Sequence, residues 1–207
     1  MTETLAAALA ARPGRLTAED GDWDGPALVT ACDRAAGWLA GQGVGRSDRV
    51  AWLGLNAGAQ VLLTVACARL GAMLAPLNWR LAAEELAWIV GDAAPRLIVA
   101  DATFRAQAET AAGGVPVLPA DAALTADAPA PPEAGGPEDP CLLVYTSGAS
   151  GRPKGALLSQ AAVLANARLS WDMHRMTAAD HVYTVLPLFH VGGLNIQTLP
   201  ALLAGAR

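Results

Sequence analysis

The segment from Cys141 to Ser159 reads Cys-Leu-Leu-Val-Tyr-Thr-Ser-Gly-Ala-Ser-Gly-Arg-Pro-Lys-Gly-Ala-Leu-Leu-Ser. Its first five residues form an apolar run rich in strand formers, and the next ten hold three glycines, three hydroxyl side chains, one proline and two cations. Glycines let the backbone turn through positive φ and leave its N–H groups uncovered, and hydroxyls add further donors. Converging N–H dipoles of this kind form a concavity for phosphate oxygens. The segment therefore predicts an anion-binding loop, with a glycine-rich surface turn as the alternative.

Lys154 is the only lysine of the chain, because the other thirteen basic residues are arginines. In a sequence so biased toward arginine, the single compact ammonium lies inside the glycine-rich segment. We therefore predict a phosphate-directed role for Lys154. The alternative is a solvated surface lysine.

Composition limits the class of protein. The chain has 207 residues, of which 53% are hydrophobic and 16% charged, and its formal net charge is −5. This length allows one large domain or one and a half small ones. Singly scattered arginines on an acidic chain argue against a nucleic-acid-binding surface. The most apolar span, 61–76, is interrupted by Arg69 and is too short to cross a bilayer, so no membrane span is predicted.

The N-terminus bears on the location of the protein, and the cysteines bear on whether it has disulfides or a metal site. Glu3 is acidic where a signal peptide needs positive charge, which predicts a cytoplasmic location by default. Cys32, Cys67 and Cys141 are odd in number, far apart and set in apolar surroundings. They indicate neither a disulfide framework nor a metal site, and we interpret them as small core residues.

Apolar periodicity predicts alternating helices and strands. The predicted helices are 4–11, 27–41, 56–71, 82–91, 102–112 and 159–175, the last with Ser159 as its cap. The predicted strands are 49–55, 73–77, 96–100, 115–118, 141–145, 156–158 and 181–186, and 20–26 is a predicted turn. Such alternation implies parallel strands covered by helices on both faces, so the predicted fold class is α/β with a mostly parallel sheet.

Residues 119–140 differ from the rest in composition. Alanine, proline, glycine and acidic residues dominate, with five prolines from Pro129 to Pro140. Such a segment cannot bury much surface. It is predicted to be an exposed connection within the domain that leads into the glycine-rich segment.

The glycine-rich segment does not fit the Walker A pattern, which requires glycine directly before the lysine and a helix directly after it. Here Pro153 precedes Lys154, and Gly155 with three apolar residues follows. Residues 145–155 instead resemble the phosphate-binding signature of the adenylate-forming superfamily. That superfamily includes acyl-CoA synthetases, firefly luciferase and the adenylation domains of peptide synthetases. The hydroxyl, glycine and Pro-Lys-Gly positions all fall in register, which makes the motif a specific one.

Members of this superfamily join a carboxylic acid to ATP, release pyrophosphate, and in most cases transfer the acyl group to a thiol. The resemblance therefore implies an ATP-dependent acyl-CoA synthetase that uses ATP and Mg²⁺, with CoA as co-substrate. It implies that Lys154 is catalytic, stabilising the departing pyrophosphate, and that the Thr146 hydroxyl lies near the metal. The residues that it implies for nucleotide binding are Thr146, Ser147, Gly148, Ala149, Ser150, Gly151, Lys154 and Gly155.

A second stretch, residues 186–195, reads Leu-Pro-Leu-Phe-His-Val-Gly-Gly-Leu-Asn and is similar to the superfamily's second core motif. The likeness places His190 beside the acyl carboxylate or the pocket wall. Without it, a lone histidine in an apolar segment is more often a satisfied core group. The residues that the likeness implies for acid binding are His190, Val191, Gly192, Gly193 and Asn195. For the glycines and Asn195, the start of a buried helix is an equal alternative.

Shorter matches extend the resemblance from about Pro26 onward. They are Gly43-Val44, Asp48-Arg49-Val50-Ala51, Asn56, Gly71, Pro76-Leu77-Asn78 and Glu85-Leu86. Two positions depart from the superfamily pattern. Ala149 stands where a threonine is frequent, which removes a hydroxyl donor but keeps the backbone N–H. Gln160 stands where a histidine commonly follows the serine.

Members of the superfamily are well over twice as long as this chain. The resemblance therefore implies that residues 1–207 are an incomplete N-terminal portion of the large adenylation domain, without the C-terminal lid domain, and inactive alone. The full-length protein would act on a small-molecule carboxylic acid, fatty or aromatic, with ATP and CoA, and a homodimer is one state open to it. The alternative is a stand-alone, non-catalytic nucleotide-binding or structural module.

Overall fold

Helices and strands alternate along the chain, as the sequence predicts. The structure is a computed structural model that describes residues 3–146 and 152–207. The strands are β1 (Leu16–Ala18), β2 (Gly21–Trp23), β3 (Arg49–Leu53), β4 (Met73–Pro76), β5 (Leu97–Ala100), β6 (Val117–Pro119), β7 (Pro140–Thr146) and β8 (Lys154–Ser159). The helices are α1 (Leu5–Ala11), α2 (Gly25–Gly41), α3 (Gly58–Leu70), α4 (Ala83–Ala93), α5 (Arg105–Ala111), α6 (Ala120–Leu124), α7 (Gln160–His174) and α8 (Leu199–Leu203), with a π-helix over Gly192–Thr198 before α8.

Six strands form one sheet in the order β6-β5-β3-β4-β7-β8. From β6 to β7, neighbouring strands run parallel, and β7 and β8 pair antiparallel. Strands β4 and β5 are buried along their whole length, as expected where helices cover both faces of a parallel sheet. The predicted α/β class with a mostly parallel sheet is confirmed.

Helix α3 lies in the main core. All of its residues are buried except Arg69. The Arg69 guanidinium pairs with Asp33 at 3.1 Å and donates to the carbonyl oxygen of Pro131 at 3.1 Å. A helix that is buried all round needs no polar face, which explains the unbroken apolar run in this part of the sequence.

The three cysteines are buried and carry free thiols. Burial raises the pKa of Cys141 to about 12. Burial also raises the pKa values of Cys32 and Cys67. A buried thiol with a raised pKa stays protonated and unreactive at neutral pH. The interpretation of these cysteines as small core residues is confirmed.

The segment 20–26, predicted as a turn, instead contains β2, which pairs antiparallel with β1. Strands of three residues are too short to show alternation in a sequence. Asp20 lies between the two strands, and its carboxylate accepts the N–H groups of Gly58 at 2.7 Å and Ala59 at 2.9 Å. The hairpin therefore supplies an acceptor for the first turn of α3, whose own N-terminus has no side-chain cap.

The prediction of a strand over 181–186 is wrong. A strand needs a neighbouring strand for its backbone bonds. Among the described residues, the N–H of Val182 donates to the backbone oxygen of Arg207 at 2.6 Å, and the N–H of Arg207 donates to the backbone oxygen of Asp180 at 3.0 Å. These two bonds do not make a ladder, so the segment has no regular secondary structure, and Tyr183 is exposed.

The Asp101 carboxylate binds two backbone segments at the edge of the sheet, one after β3 and one before α5. Its carboxylate accepts the N–H groups of Leu55 at 2.8 Å and Phe104 at 3.0 Å. These bonds fix the turn after β3 and the entry to α5. The helix predicted over 102–112 therefore begins only at Arg105.

The connection 119–140 begins with the short helix α6 and then lacks regular structure up to β7. Its residues are mostly half-buried or exposed. The N–H groups of Ala134 and Gly135 both donate to the oxygen of Arg69 at 2.9 Å. The Arg46 guanidinium also donates to the oxygen of Ala134, at 3.1 Å. The connection is thus held against the C-terminal end of α3.

Gln160, one of the two departures from the superfamily pattern, is fully buried. Its Oε1 accepts the N–H of Leu5 at 2.8 Å, and its Nε2 donates to the oxygen of Ala68 at 2.9 Å. Both ends of the side-chain amide are therefore satisfied by backbone groups of α1 and α3. Gln160 joins three helices inside the core.

Replacing Gln160 with leucine should destabilise the fold. The change leaves the buried N–H of Leu5 without its acceptor, and such an unpaired group costs about 1 to 3 kcal/mol. Denaturant unfolding of the Gln160→Leu variant measures this loss. Gln42→Leu is the matched control, because Gln42 is exposed and a surface change is worth about 0.5 kcal/mol or less. Equal unfolding free energies for the two variants would contradict the assignment.

Candidate active site

The glycine-rich segment connects two paired strand ends. Thr146, the last residue of β7, lies opposite Lys154, the first residue of β8. Both are exposed, and neither side chain has a hydrogen-bond or ion-pair partner among residues 3–146 and 152–207. The predicted nucleotide-binding residues Ser147, Gly148, Ala149, Ser150 and Gly151 lie outside the described residues. A hydroxyl and an ammonium are therefore available side by side at the base of the segment.

Gly155 has a different structural role from the one expected. It lies within extended β8 and has no positive φ, so the expectation of a turn at this glycine is wrong. A Cβ there would lie 2.7 Å from Cδ1 of Leu143 and 3.3 Å from Cζ of Tyr145. Both side chains lie on the neighbouring strand β7, and Tyr145 is the register partner of Gly155. A larger residue would crowd the Leu143 side chain and the Tyr145 ring, which favours glycine at this position.

Tyr145 connects the strand pair β7–β8 to helix α4 through two contacts. Its hydroxyl donates to the carboxylate of Asp92 at 2.6 Å. Its ring also meets Trp88 edge-on, with centroids 6.5 Å apart. Burial raises the pKa of Tyr145, and the hydrogen bond to Asp92 raises it further. The residue before Thr146 is thus anchored on both its ring and its hydroxyl.

The second motif is attached to the end of β3. The side-chain Nδ2 of Asn56 donates to the oxygen of Leu186 at 2.9 Å, and its Oδ1 accepts the N–H of Leu188 at 2.8 Å. Strand β4 lies between β3 and β7, and neighbouring strands are about 4.8 Å apart, so the ends of β3 and β7 are about 10 Å apart. The two motifs therefore lie at the carboxyl edge of the parallel strands, where open α/β sheets bind ligands.

Aromatic side chains fill the space after β4. Phe189 of the second motif meets Trp79 edge-on, with ring centroids 6.4 Å apart. The Arg80 guanidinium lies 4.9 Å from the Trp79 ring centroid and 5.8 Å from that of Phe189. Such cation–π contacts help to fix the orientation of the aromatic rings. The second motif is thus held by the loop after β4 as well as by Asn56.

His190 is exposed, so the alternative of a satisfied core histidine does not apply. Its Nδ1 accepts the N–H of Gly192 at 3.1 Å. In the neutral imidazole an accepting Nδ1 leaves the proton on Nε2. The ring is therefore set up as an N–H donor through Nε2, which has no partner among the described residues.

The residues after His190 form the buried start of the π-helix. A Cβ at Gly193 would lie 2.5 Å from the oxygen of Pro187, so only glycine fits. Asn195 is buried, and its Oδ1 has no partner among the described groups. Val191 is half-buried and packs on the main core. For Gly192, Gly193 and Asn195 the buried-helix alternative describes what the structure shows, while a role in acid binding stays a prediction.

Asn56, Asp92 and Arg80 were not predicted as site residues. In the sequence, Asn56 indicates only the start of a helix and a match to the superfamily pattern. Its partners are 130 and 132 residues away in the chain, and Asp92 is 53 residues from Tyr145. No short-range pattern in a sequence reports such contacts. The polar residue directly after a buried parallel strand was the available signal for Asn56.

The part of the chain that the structure describes contains neither a metal-binding cluster nor a membrane-spanning helix. Among those residues, no group of three or more histidine, cysteine and acidic side chains could hold a metal ion. Nor is any described helix long and apolar enough to span a membrane.

The Tyr145 contact predicts a pH-dependent stability. Because the pKa of Tyr145 is raised in the folded protein, its stabilising contribution is complete below about pH 10 and is lost as the pH rises from there toward the raised value. Tyr145→Phe should cost about 1 kcal/mol at neutral pH. Its difference in unfolding free energy from the wild type should shrink above pH 10.

Denaturant unfolding at a series of pH values checks this. Tyr183→Phe is the control, because Tyr183 is the other tyrosine of the chain and its ring is 77% exposed. That variant should keep the alkaline loss of stability seen in the wild type. A Tyr145→Phe difference that stays constant up to high pH would count against the contact with Asp92.

The sequence of this chain is similar to those of known proteins. Residues 6–207 match the sequence profile of the AMP-binding enzyme family. The chain is 44% identical over 195 residues to indoleacetate–CoA ligase of Aromatoleum aromaticum, a match that covers 86% of this chain and 38% of that protein. It is 38% identical over 179 residues to feruloyl-CoA synthase of an Amycolatopsis species, covering 83% of this chain and 35% of that protein.

A solved structure shows the same fold. The ATP-bound crystal structure of MatB from Rhodopseudomonas palustris superposes with a TM-score of 0.86 at 29% sequence identity, and the match covers all of this chain and 44% of that one. The chain thus spans 38% and 35% of the length of the two ligases above and 44% of this structure. With its fold, its two motifs and the profile match over residues 6–207 in agreement, the chain belongs to the AMP-binding enzyme family.

Proposed function

We propose that the protein containing this chain activates a carboxylic acid with ATP and transfers the acyl group to CoA. The observation that carries the proposal is the pairing of Thr146 with Lys154 at the sheet edge that also carries the His190 motif. This arrangement brings two exposed groups suited to phosphate, on Thr146 and Lys154, to the same edge as an exposed donor suited to a carboxylate, on His190. Membership of the AMP-binding family and the CoA ligases among the relatives support the same chemistry.

The first step needs a group that stabilises a departing anion. A carboxylate oxygen attacks the α-phosphorus of ATP, and the bond from that phosphorus to the bridging oxygen of the β-phosphate breaks. The electron pair leaves with pyrophosphate. The Lys154 ammonium has no competing ion pair among the described residues, so it can bind that developing charge. A hydrogen bond to a charged group contributes about 1.5 to 3 kcal/mol.

Mg²⁺ fits the site through Thr146 and the nucleotide together. Mg²⁺ is usually held by a few oxygen ligands of the protein together with substrate phosphates and water. The Thr146 hydroxyl offers one such oxygen. Bound there, the ion would neutralise phosphate charge, while Lys154 acts on the leaving group from the adjacent strand.

His190 is suited to hold the acid. Its Nε2–H can donate to a carboxylate oxygen, because Nδ1 is already occupied by the N–H of Gly192. A single donor orients the carboxylate without neutralising it, so the other oxygen stays nucleophilic. In the second step the sulfur of CoA attacks the acyl carbon, AMP leaves, and the thiol proton is released to the solvent.

We propose an aromatic carboxylic acid as the substrate class. Two of the relatives are named for indoleacetate and ferulate, which are both aromatic acids. Acid-dependent pyrophosphate release with aryl-acetic and cinnamic acids, compared with a long-chain fatty acid, tests this choice. A preference for the fatty acid would overturn the substrate class while leaving the reaction in place.

Lys154→Ala should lower acid-dependent pyrophosphate release about 100-fold in the protein that contains this chain, because one donor to the leaving group is lost. Arg152→Ala is the control, since it removes an exposed positive charge two residues away and should have a much smaller effect. Pyrophosphate release is measured with and without the acid. ATP turnover that is equal without any acid would rule out the proposed reaction, and nucleotide binding without turnover would favour the stand-alone module.

A further inference from the structure

We infer that Asn56 is a positioning residue, which fixes the backbone of residues 186–188 and thereby sets the place of His190 at the sheet edge. The inference rests on the proposed function, since it concerns how the acid is held. Asn56 itself is not expected to touch the substrate. Its effect passes through the backbone of the second motif.

The Asn56 amide bonds the chain on both sides of Pro187. Nδ2 donates to the oxygen of Leu186 and Oδ1 accepts the N–H of Leu188. Pro187 between them has no N–H to offer. The amide thus satisfies one donor and one acceptor in a segment that lacks a neighbouring strand among the described residues.

A short hydrogen-bonded turn connects Leu186 and Leu188, which Asn56 binds, to His190. The N–H of His190 donates to the oxygen of Pro187 at 3.2 Å. The oxygen of His190 then accepts the N–H of Gly193 at 3.2 Å, which starts the π-helix. Successive bonds therefore connect the Asn56 amide to both the backbone and the ring of His190.

Asn56 is itself held from both sides. The N–H of Leu55 donates to the Asp101 carboxylate at 2.8 Å. On the other side, the N–H of Gly58 donates to the Asp20 carboxylate at 2.7 Å. Because its own backbone is fixed in this way, the Asn56 side chain can position the segment 186–188 that it binds. The opposite side of the motif is held by the contacts of Phe189 with Trp79 and Arg80.

A purely structural role fits Asn56 less well. The residue is exposed, so its side chain contributes little apolar burial. Removing a surface amide is therefore expected to change global stability little. A misplacement of a binding group by about 1 Å can still cost about 100-fold in rate. The expected effect of Asn56 is thus on catalysis rather than on folding.

Asn56→Ala in the protein that contains this chain tests the inference. We expect kcat/KM for the acid to fall about 10-fold to 100-fold, with the KM for ATP changed by less than about twofold because the phosphate-binding strands are not altered. Hydrogen exchange of the peptide spanning residues 186–192 should become faster. Thr4→Ala is the stability control, because it removes the α1 cap without contacting the second motif.

The outcomes separate the two claims. Equal effects on the acid and ATP parameters, or unchanged exchange over residues 186–192, would overturn the positioning role. Acid kinetics like those of Thr4→Ala would do the same. If the wild-type protein releases no pyrophosphate when acids are added, the proposed function fails, and the exchange difference then decides separately whether Asn56 holds the segment.

Discussion

The parallel pairing of β3, β4 and β7 is the constraint on which the candidate site depends. Parallel strands end at one common edge, and here those ends carry Asn56, Trp79 and Thr146 within a few residues of the last strand positions. The motif at residues 145–155 begins on β7, and the motif at residues 186–195 is bound by Asn56 after β3, so both lie at this edge. The antiparallel addition of β8 then places Lys154 opposite Thr146.

Side chains, rather than further strands, complete the hydrogen bonding around this edge. Asp20 and Asp101 bind N–H groups on either side of Asn56, and Asn56 binds the backbone around Pro187. Inside the core, the Gln160 side chain likewise binds one backbone group of α1 and one of α3. In each case a polar side chain from a distant part of the chain satisfies backbone groups that would otherwise be unpaired. The arrangement keeps the loops ordered while leaving Thr146, Lys154 and His190 accessible.

The sequence predicts what depends on neighbours in the chain. The apolar run of β7 and the Ser159 cap of α7 are found as predicted, with the Ser159 hydroxyl accepting the N–H of Ala162 at 3.2 Å. The failures involve distant partners. The segment 181–186 has the composition of a strand but no ladder, and glycine at position 155 is favoured by side chains of the neighbouring strand β7. Asn56 could not be assigned for the same reason, since its partners are more than 100 residues away.

The departure at Gln160 can now be separated from the candidate site. Its position requires one donor, for the oxygen of Ala68, and one acceptor, for the N–H of Leu5. A neutral imidazole also offers one donor and one acceptor on its two ring nitrogens. Glutamine and histidine can therefore satisfy the same two backbone groups from the start of α7, buried away from the exposed side chains of Thr146 and Lys154. Gln160 therefore joins three helices inside the core and makes no contact with Thr146 or Lys154.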